Sequence, residues 1–275
     1  MVTLLGRTTF RDDRRLFGIH HADRRGHIYV IGQTGTGKST LLETMLVQDL
    51  VAGENFALLD PHGDLVERAV RRVPMHRRDA LIYFDVPDPA QPWGFNPLAG
   101  VPAPKRPLAA SALLDAFKKL WPDSWGPRLE HILRNNLLAL LDQPDATLAD
   151  VLRLLSDEDY RRSAMVHVRS LAVRTFWLRE YKEYPARFRI EAIAPIQNKV
   201  GAFLSNPLLH RILTQPQHSL DFRRVMDEGR ILMVNLAKGK IGEDTAALLG
   251  SLLVASLGAA AFSRADRSPE ERSNF

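Results

Sequence analysis

The chain has 275 residues, of which 45% are hydrophobic and 25% are charged, as in ordinary globular proteins and unlike disordered or fibrous chains. It contains no cysteine, which excludes disulfide scaffolds, thiol catalysis and cysteine-ligated zinc. The formal charge of +5 and the pI of about 9.6 permit nucleic-acid binding without proving it.

The first 85 residues alternate short apolar runs with helical patterns. The runs at 27–31, 56–59 and 81–84 are rich in β-branched, aromatic and leucine residues, and they predict buried strands. Helical spacing of apolar residues follows at 41–51 and again at 65–73. This alternation predicts an α/β fold with a parallel sheet flanked by helices.

The middle of the chain has a different pattern. Prolines recur between Pro87 and Pro107, which excludes a helix interior or a central strand and indicates a long connection. From 108 to about 213 the pattern is helical without a clear strand, and it predicts an all-helical insertion. Strand character returns at 230–235. The uncharged stretch 245–262 is rich in Ala, Gly and Ser, which favours a packed helix over a membrane span.

A glycine-rich loop follows the first predicted strand and precedes the first predicted helix. Residues 32–39 read GQTGTGKS and match the phosphate-binding P-loop pattern G-x-x-x-x-G-K-[S/T]. The pattern predicts a nucleotide site at Gly32, Thr34, Gly35, Thr36, Gly37, Lys38, Ser39 and Thr40. Lys38 would neutralise the β- and γ-phosphates, and Ser39, with Thr40 beside it, would ligate Mg²⁺. The alternative is a glycine turn that carries a surface lysine.

A second candidate is Asp60, in the sequence DPHGD at 60–64, just past the second predicted strand. Ligands of open parallel sheets bind beyond the carboxyl ends of the strands, which predicts Asp60 near the γ-phosphate and the magnesium ion, with a catalytic role beside Lys38. The alternative is a strand-ending turn in which Asp60 caps the next helix. His62 in the same turn is more typical of an exposed side chain.

The sequence offers no good Walker-B element, which would be a buried strand that ends in Asp-Glu. The run at 81–84 ends in Asp85 and the run at 231–234 ends in Asn235, and neither is followed by glutamate. We therefore expect the hydrolytic machinery to be incomplete within these residues.

Five segments together resemble a known family. They are HIYVIGQTGTGKSTLL at 27–42, LLDPHGD at 58–64, GFNPL at 94–98, WGPRLEHILRN at 125–135 and NLAKGKIGED at 235–244. They look like the HerA/FtsK class of P-loop ATPases, on the branch of TraG/TraD-like conjugative coupling proteins of type IV secretion. The P-loop alone is specific only to the superfamily, whereas the later segments narrow the resemblance.

The resemblance implies an ATP- and Mg²⁺-dependent motor, generally a homo-hexameric ring, that moves DNA independently of its sequence. It implies a P-loop NTPase core in 1–104, an all-helical insertion in 105–215 and a return to the core in 216–275. It also implies that the chain is a fragment that ends before Walker B. Secretion-channel or relaxosome proteins are the implied partners, and a cytoplasmic location, at the inner face of the membrane through partners or missing segments, is implied for the whole protein.

The helical insertion contains candidate DNA-binding residues: Lys118, Lys119, Arg128, Arg134, Arg161, Arg162 and Arg169. Each is individually more typical of a solvated helix face. Trp121 and Trp125 are candidates for stacking on bases, although core packing is the more common role of tryptophan. Arg211 is a weak candidate for an arginine finger that reaches a neighbouring subunit's nucleotide.

Two other functions remain open. A GTPase-type switch is suggested by Asp60-x-x-Gly63 and by the sequence NKVG at 198–201, although the carboxylate that reads guanine is missing there. A nucleotide-binding module that regulates or assembles a secretion complex, without translocation, is the stronger alternative. Metal-dependent hydrolysis by the histidines is weak because their spacing does not suit metal ligation.

Overall fold

A computed structural model describes residues 2–214 and 219–275. The chain divides into two compact units. The first consists of Met1–Val86, Met226–Ala237 and Ser273–Phe275, and the second of Pro87–Val225 and Lys238–Arg272. The predicted boundary between 215 and 216 lies outside the described residues. The division into 1–104, 105–215 and 216–275 therefore stays a prediction.

The first unit contains the predicted parallel sheet. Its order is β3-β5-β4, and β5, which comes last in the chain, lies between the other two strands. A separate antiparallel pair, β1-β2, precedes it. The strands are β1 Val2–Arg7, β2 Leu16–His20, β3 Ala57–Asp60, β4 Leu81–Asp85 and β5 Ile231–Asn235. The predictions at 56–59, 81–84 and 230–235 are confirmed, and so is the α/β class.

Two helices cover one face of this sheet. They are α1, Lys38–Ala52, and α2, Asp64–Arg71, as the spacing at 41–51 and 65–73 predicts. Leu50 of α1 and Val66 of α2 form a buried cluster with Ile231 and Met233 of β5. Because side chains alternate along a strand, Asn235, two positions after Met233 in β5, points to the same face of the sheet.

The direction of α1 follows from its connection to β3. Gly53, with a φ of 82°, ends the helix in the left-handed conformation. Only residues 53–56 join the helix to the first residue of β3. The end of α1 must therefore lie near the start of that strand, and the helix runs antiparallel to the sheet. Its first turn consequently lies toward the carboxyl ends of the strands.

The β1-β2 pair is fastened to α1 by polar contacts. The Gln48 side chain accepts from the backbone N–H of Leu4 at 2.8 Å and donates to its carbonyl at 2.9 Å, as a neighbouring strand would. Arg24 forms a two-pronged ion pair with Asp49, with Nη2 2.7 Å from Oδ2. These contacts fix the helix that follows the P-loop.

The strand predicted at 27–31 is wrong. The segment has no regular secondary structure, and Tyr29 and Ile31 are 86% and 77% exposed. A strand exists only where a neighbour completes its backbone hydrogen bonds. Within the described part of the chain β1 and β2 pair with each other, and the sheet formed by β3, β4 and β5 does not include this segment.

The second unit is helical, and the described residues between 108 and 213 contain no strand, as predicted. Its core includes Trp121, which stacks between Phe117 and Phe203. The helices after α2 are α3 Arg106–Leu120, α4 Pro127–Leu141, α5 Asp150–Ser156, α6 Glu158–Ala164, α7 Leu171–Thr175, α8 Tyr181–Glu183, α9 Ala186–Leu204, α10 Pro207–Thr214, α11 Phe222–Asp227, α12 Lys238–Ile241 and α13 Glu243–Ser263.

Helix α13 packs along α3 and buries Leu248, Leu249, Leu252 and Leu253. Among the described residues it is the one helix that is long and apolar enough to cross a membrane, with a mean hydropathy of 1.9 in an 18-residue window of 243–266. Core helices meet the same criteria of length and composition, so this observation is weak evidence for a span.

We expect Leu50→Ala to destabilise the first unit by about 3 kcal/mol, because a 1% exposed side chain would leave a cavity between α1 and the sheet. The adjacent residue Val51 is 77% exposed and provides the control. Val51→Ala should change the free energy of unfolding by less than about 0.5 kcal/mol. Hydrogen exchange of the α1 amides, measured as a function of urea concentration, gives the free energy of unfolding of both variants. Equal effects of the two substitutions would contradict the packing of Leu50 against the sheet.

Candidate functional site

The loop before α1 has backbone geometry that requires glycine. Gly35 and Gly37 have φ angles of 84° and 91°, in the left-handed region that other residues avoid. Gly32 is limited by space instead, because a Cβ there would lie 2.6 Å from Thr36 Oγ1. The loop folds on itself, since Thr36 Oγ1 donates to the Gln33 carbonyl at 2.8 Å.

The first turn of α1 presents unused backbone donors. The first backbone hydrogen bond of the helix runs from the Leu41 N–H to the Gly37 carbonyl at 2.9 Å, and no side chain caps this end. The N–H groups of Lys38, Ser39 and Thr40 therefore have no partner among the described residues. Exposed N–H groups at a helix N-terminus are a binding site for phosphate.

The side chains of Lys38 and Ser39 lie beside these backbone donors. The Lys38 ammonium donates to the carbonyls of Gly32 and Gln33, both at 2.7 Å, so its charge is held over the loop. Ser39, Thr40 and Thr34 are exposed. The predicted phosphate-binding residues thus form one open cradle, whose donors fit the oxygens of a triphosphate.

Asp60 caps α2 from the preceding turn, while Gly63 occupies the N-cap position itself. It is 6% exposed, and its Oδ1 accepts from the His62 N–H at 3.0 Å. Its Oδ2 accepts from the N–H groups of Leu65 and Val66 at 2.8 and 3.1 Å. This is the strand-ending turn that the sequence offered as the alternative, and the metal role stays a prediction. His62 is exposed, as expected.

The described residues contain no group of three or more His, Asp or Glu side chains suited to a metal. A magnesium ion at the P-loop would accordingly depend on the Ser39 hydroxyl, water and the oxygens of the nucleotide. Mg²⁺ is commonly held in this way, with few protein ligands. The residues present fit such an ion.

A polar row crosses the carboxyl edge of the sheet. Asp60, Asn235 and Asp85 are paired in register at the ends of β3, β5 and β4. Asn235 is completely buried. It fills the space beside Gly63, where a Cβ would lie 2.7 Å from Asn235 Oδ1 and where φ is 92°. Sequence reasoning considered Asn235 only as a poor Walker-B ending. The missed signal was a polar residue on the buried face of an apolar strand.

Several candidate DNA contacts in the second unit are engaged within the protein. Arg134 donates to Glu130 at 3.0 Å, and hydrogen bonds from Trp125 and Arg134 lower the pKa of Glu130, which keeps this carboxylate charged. Arg161 donates to the carbonyls of Leu154 and Leu155, and burial lowers its pKa. For Arg161 a structural role is therefore the better interpretation.

The other basic candidates differ in their surroundings. Lys118 lies 4.0 Å from Glu130, and Arg162 pairs with Glu158 at 3.3 Å. Lys119, Arg128 and Arg169 have exposed side chains, and Arg128 lies over the Phe188 ring at 5.0 Å. Trp125 is half-buried and donates to Glu130 at 2.8 Å, and Trp121 belongs to the core.

Two weaker hypotheses do not survive the geometry. The Arg211 guanidinium donates to the carbonyls of Asp88, Pro89 and Gln91, so it joins α10 to the loop at 88–91 and is not available as an arginine finger. The sequence NKVG at 198–201 lies inside α9. A helix interior does not present these side chains together as a guanine-reading loop would.

We expect Asp60→Ala to unfold the start of α2, at a cost of about 1–3 kcal/mol, because three backbone N–H groups lose their shared acceptor. Hydrogen exchange at Leu65 and Val66 should accelerate while exchange in α1 stays slow. Unchanged protection at both amides would show that the cap contributes nothing to the helix.

The fold is similar to the bacterial conjugative coupling protein TrwBdeltaN70 in an unbound form, with a TM-score of 0.47, 17% identity, and coverage of 82% of this chain and 49% of that one. It is also similar to the plasmid coupling protein TrwB in complex with the non-hydrolysable GTP analogue GDPNP, with a TM-score of 0.43, 17% identity, and coverage of 82% and 51%. The chain spans about half the length of these structures.

The curated proteins include no sequence match. Residues 23–255, however, match the sequence model of the family described as "Helicase HerA, central domain". This match covers most of the chain and includes the P-loop, the helical insertion and β5. The chain therefore belongs to the HerA central-domain family of P-loop NTPases, the class that its motifs resemble.

Proposed function

We propose that the chain is the ATP-binding core of a DNA-translocating motor, of the coupling-protein type that moves DNA in conjugation and type IV secretion. The observation that supports it best is the open first turn of α1, where three unpaired N–H groups lie beside Lys38. A member of the HerA family with such a cradle is suited to a nucleoside triphosphate. The branch is supported by the segments at 58–64, 125–135 and 235–244.

Binding would use groups that are already in place. The Lys38 ammonium would leave the carbonyls of Gly32 and Gln33 for the β- and γ-phosphates, while the N–H groups of 38–40 donate to phosphate oxygens. Ser39 would hold Mg²⁺, which neutralises phosphate charge when it is bound. Asp60 Oδ1 accepts only one N–H and keeps capacity for a second donor, so a water of the metal is its expected partner.

Lys38→Ala should lower the affinity for ATP at least 100-fold, because the phosphates lose their main counter-ion within the cradle. Lys119→Ala removes an exposed lysine from the second unit and should leave the affinity unchanged. Titration calorimetry in Mg²⁺ measures both, and thermal unfolding confirms that each variant folds. An unaltered dissociation constant for the Lys38 variant would contradict the site.

The base of the nucleotide is identified by a competition titration, in which GTP is added to the wild-type protein in the presence of ATP. The sequence NKVG at 198–201, the second motif of the GTPase alternative, lies inside α9 and cannot form a guanine-binding loop there. This favours ATP over GTP. The similar structure TrwB is described in complex with a GTP analogue, so GTP is the proper competitor. A strong preference for GTP would overturn the assignment to ATP.

DNA binding should be independent of sequence and should weaken steeply with salt, because it would depend on cations released from phosphates. Lys119, Arg128 and Arg169 are the exposed cations proposed for contact. Replacing Lys119 and Arg128 by alanine should lower the slope of log affinity against log salt by about 2. Arg162→Ala is the control, because this arginine is paired with Glu158. A sequence-specific isotherm that ignores salt would count against the proposal.

A regulatory or assembly module without translocation is the second candidate, because nucleotide binding at the P-loop does not by itself require translocation. The two candidates differ in coupling to DNA. A motor that contains this domain should hydrolyse ATP faster when DNA is added, and it should form rings, as proposed for a homo-hexamer. Indifference of the ATPase rate to DNA would favour the module and its secretion-channel or relaxosome partners.

A further inference from the structure

The central strand of the sheet ends in an amide whose hydrogen-bond donor is unused. Asn235 is 0% exposed, and its Oδ1 accepts from the Ala237 N–H at 3.0 Å. Its Nδ2 is buried and has no hydrogen-bond partner in the described ranges. A buried donor without an acceptor is a net cost to the fold, so native structures contain few of them and each calls for an explanation.

The amide lies at the place where ligands of parallel sheets bind. Asn235 belongs to the same sheet face as Ile231 and Met233, the face that α1 and α2 cover. It ends β5 at the carboxyl edge, toward which the first turn of α1 and the P-loop are directed. The P-loop and the unused donor thus share one face and one edge of the sheet.

Neither strand partner of Asn235 meets Nδ2 in hydrogen-bonding geometry. Asp60, its partner on β3, accepts instead from backbone N–H groups of its own turn and of α2. Asp85, its partner on β4, has a buried Oδ1 that is likewise without a partner. The turn at 61–63 lies against the amide, with Gly63 close to Oδ1.

Tyr83 is the remaining polar group near this amide. Burial raises the pKa of its hydroxyl, and a hydrogen-bonding interaction with the Asn235 side chain opposes that rise. The hydroxyl is therefore close to the amide, although the distance and angles leave Nδ2 without a satisfied hydrogen bond. Replacing Tyr83 therefore tests whether the Asn235 amide acts only within the fold, through the tyrosine hydroxyl.

We propose that Asn235 is a nucleotide-binding residue, whose Nδ2–H donates to an oxygen of the terminal phosphate and so distinguishes a triphosphate from a diphosphate. This inference rests on the proposed function. A phosphate oxygen is a strong acceptor and the P-loop directs a triphosphate to this edge. Because Nδ2 is covered, contact requires the turn at 61–63 to move, so the terminal phosphate would also be sensed at the start of α2.

The test compares the affinities for a non-hydrolysable ATP analogue and for ADP, both in Mg²⁺. Asn235→Ala should weaken binding of the analogue about tenfold and leave ADP unchanged, which corresponds to about 1.4 kcal/mol for the terminal phosphate. Asn235→Asp should weaken it further, since a carboxylate repels phosphate. Tyr83→Phe removes the neighbouring hydroxyl and should change neither affinity. Thermal unfolding establishes that each variant is folded.

A ratio of the two affinities that stays within twofold of the wild-type ratio in a folded Asn235 variant would overturn the inference. The same loss in Tyr83→Phe would also overturn it, because the amide would then act through the tyrosine. If neither Asn235 variant folds, a crystal structure of the wild-type chain with the analogue decides. Nδ2 about 3 Å from a γ-phosphate oxygen supports the inference, and Nδ2 bonded to water or Asp85 refutes it. Wild-type protein that binds neither nucleotide refutes the proposed function itself.

Discussion

The packing of α1 on the central strand is the constraint on which the rest of the first unit depends. Leu50 belongs to the buried cluster that contains Ile231 and Met233, Leu46 packs against that cluster, and the short connection 53–56 fixes the direction of the helix. Because the helix runs antiparallel to the strands, its unpaired N–H groups lie at the edge where β3, β4 and β5 end. The phosphate cradle is therefore a consequence of core packing as much as of the glycine-rich loop.

At the same edge, the carboxylate of Asp60 stabilises the start of α2 and is also a candidate for contact with the metal. The Asp60 carboxylate accepts from three backbone donors, one in its own turn and two in the first turn of α2. Any role for Asp60 in metal binding has to leave these three hydrogen bonds in place. In the proposed site, this favours contact between Asp60 and the magnesium ion through water over direct ligation.

Local signals in the sequence were sufficient for much of this architecture. The P-loop, the helical spacing at 41–51 and the apolar runs of β3, β4 and β5 are short-range patterns, and each predicted its element. The run at 27–31 has the same composition, but strand formation depends on a neighbour that no local pattern specifies. The cap by Asp60 was one of two alternatives that the sequence left open, whereas the buried position of Asn235 beside Asp60 and Asp85 was hidden, since it follows from the register of three strands distant in sequence. The partners of Arg134, Arg161 and Arg211 are tertiary contacts too.

The polar fastening of the β1-β2 pair has a consequence for how this domain can be dissected. Asp49 is 7% exposed, and its carboxylate is matched by Arg24, which also donates to Thr3 at 3.1 Å. An expression boundary placed after residue 25 would remove the guanidinium and leave a buried anion without a counter-ion in the helix that follows the P-loop. The first two strands are thus an integral part of the nucleotide domain, and trimming them would damage a site that they do not touch.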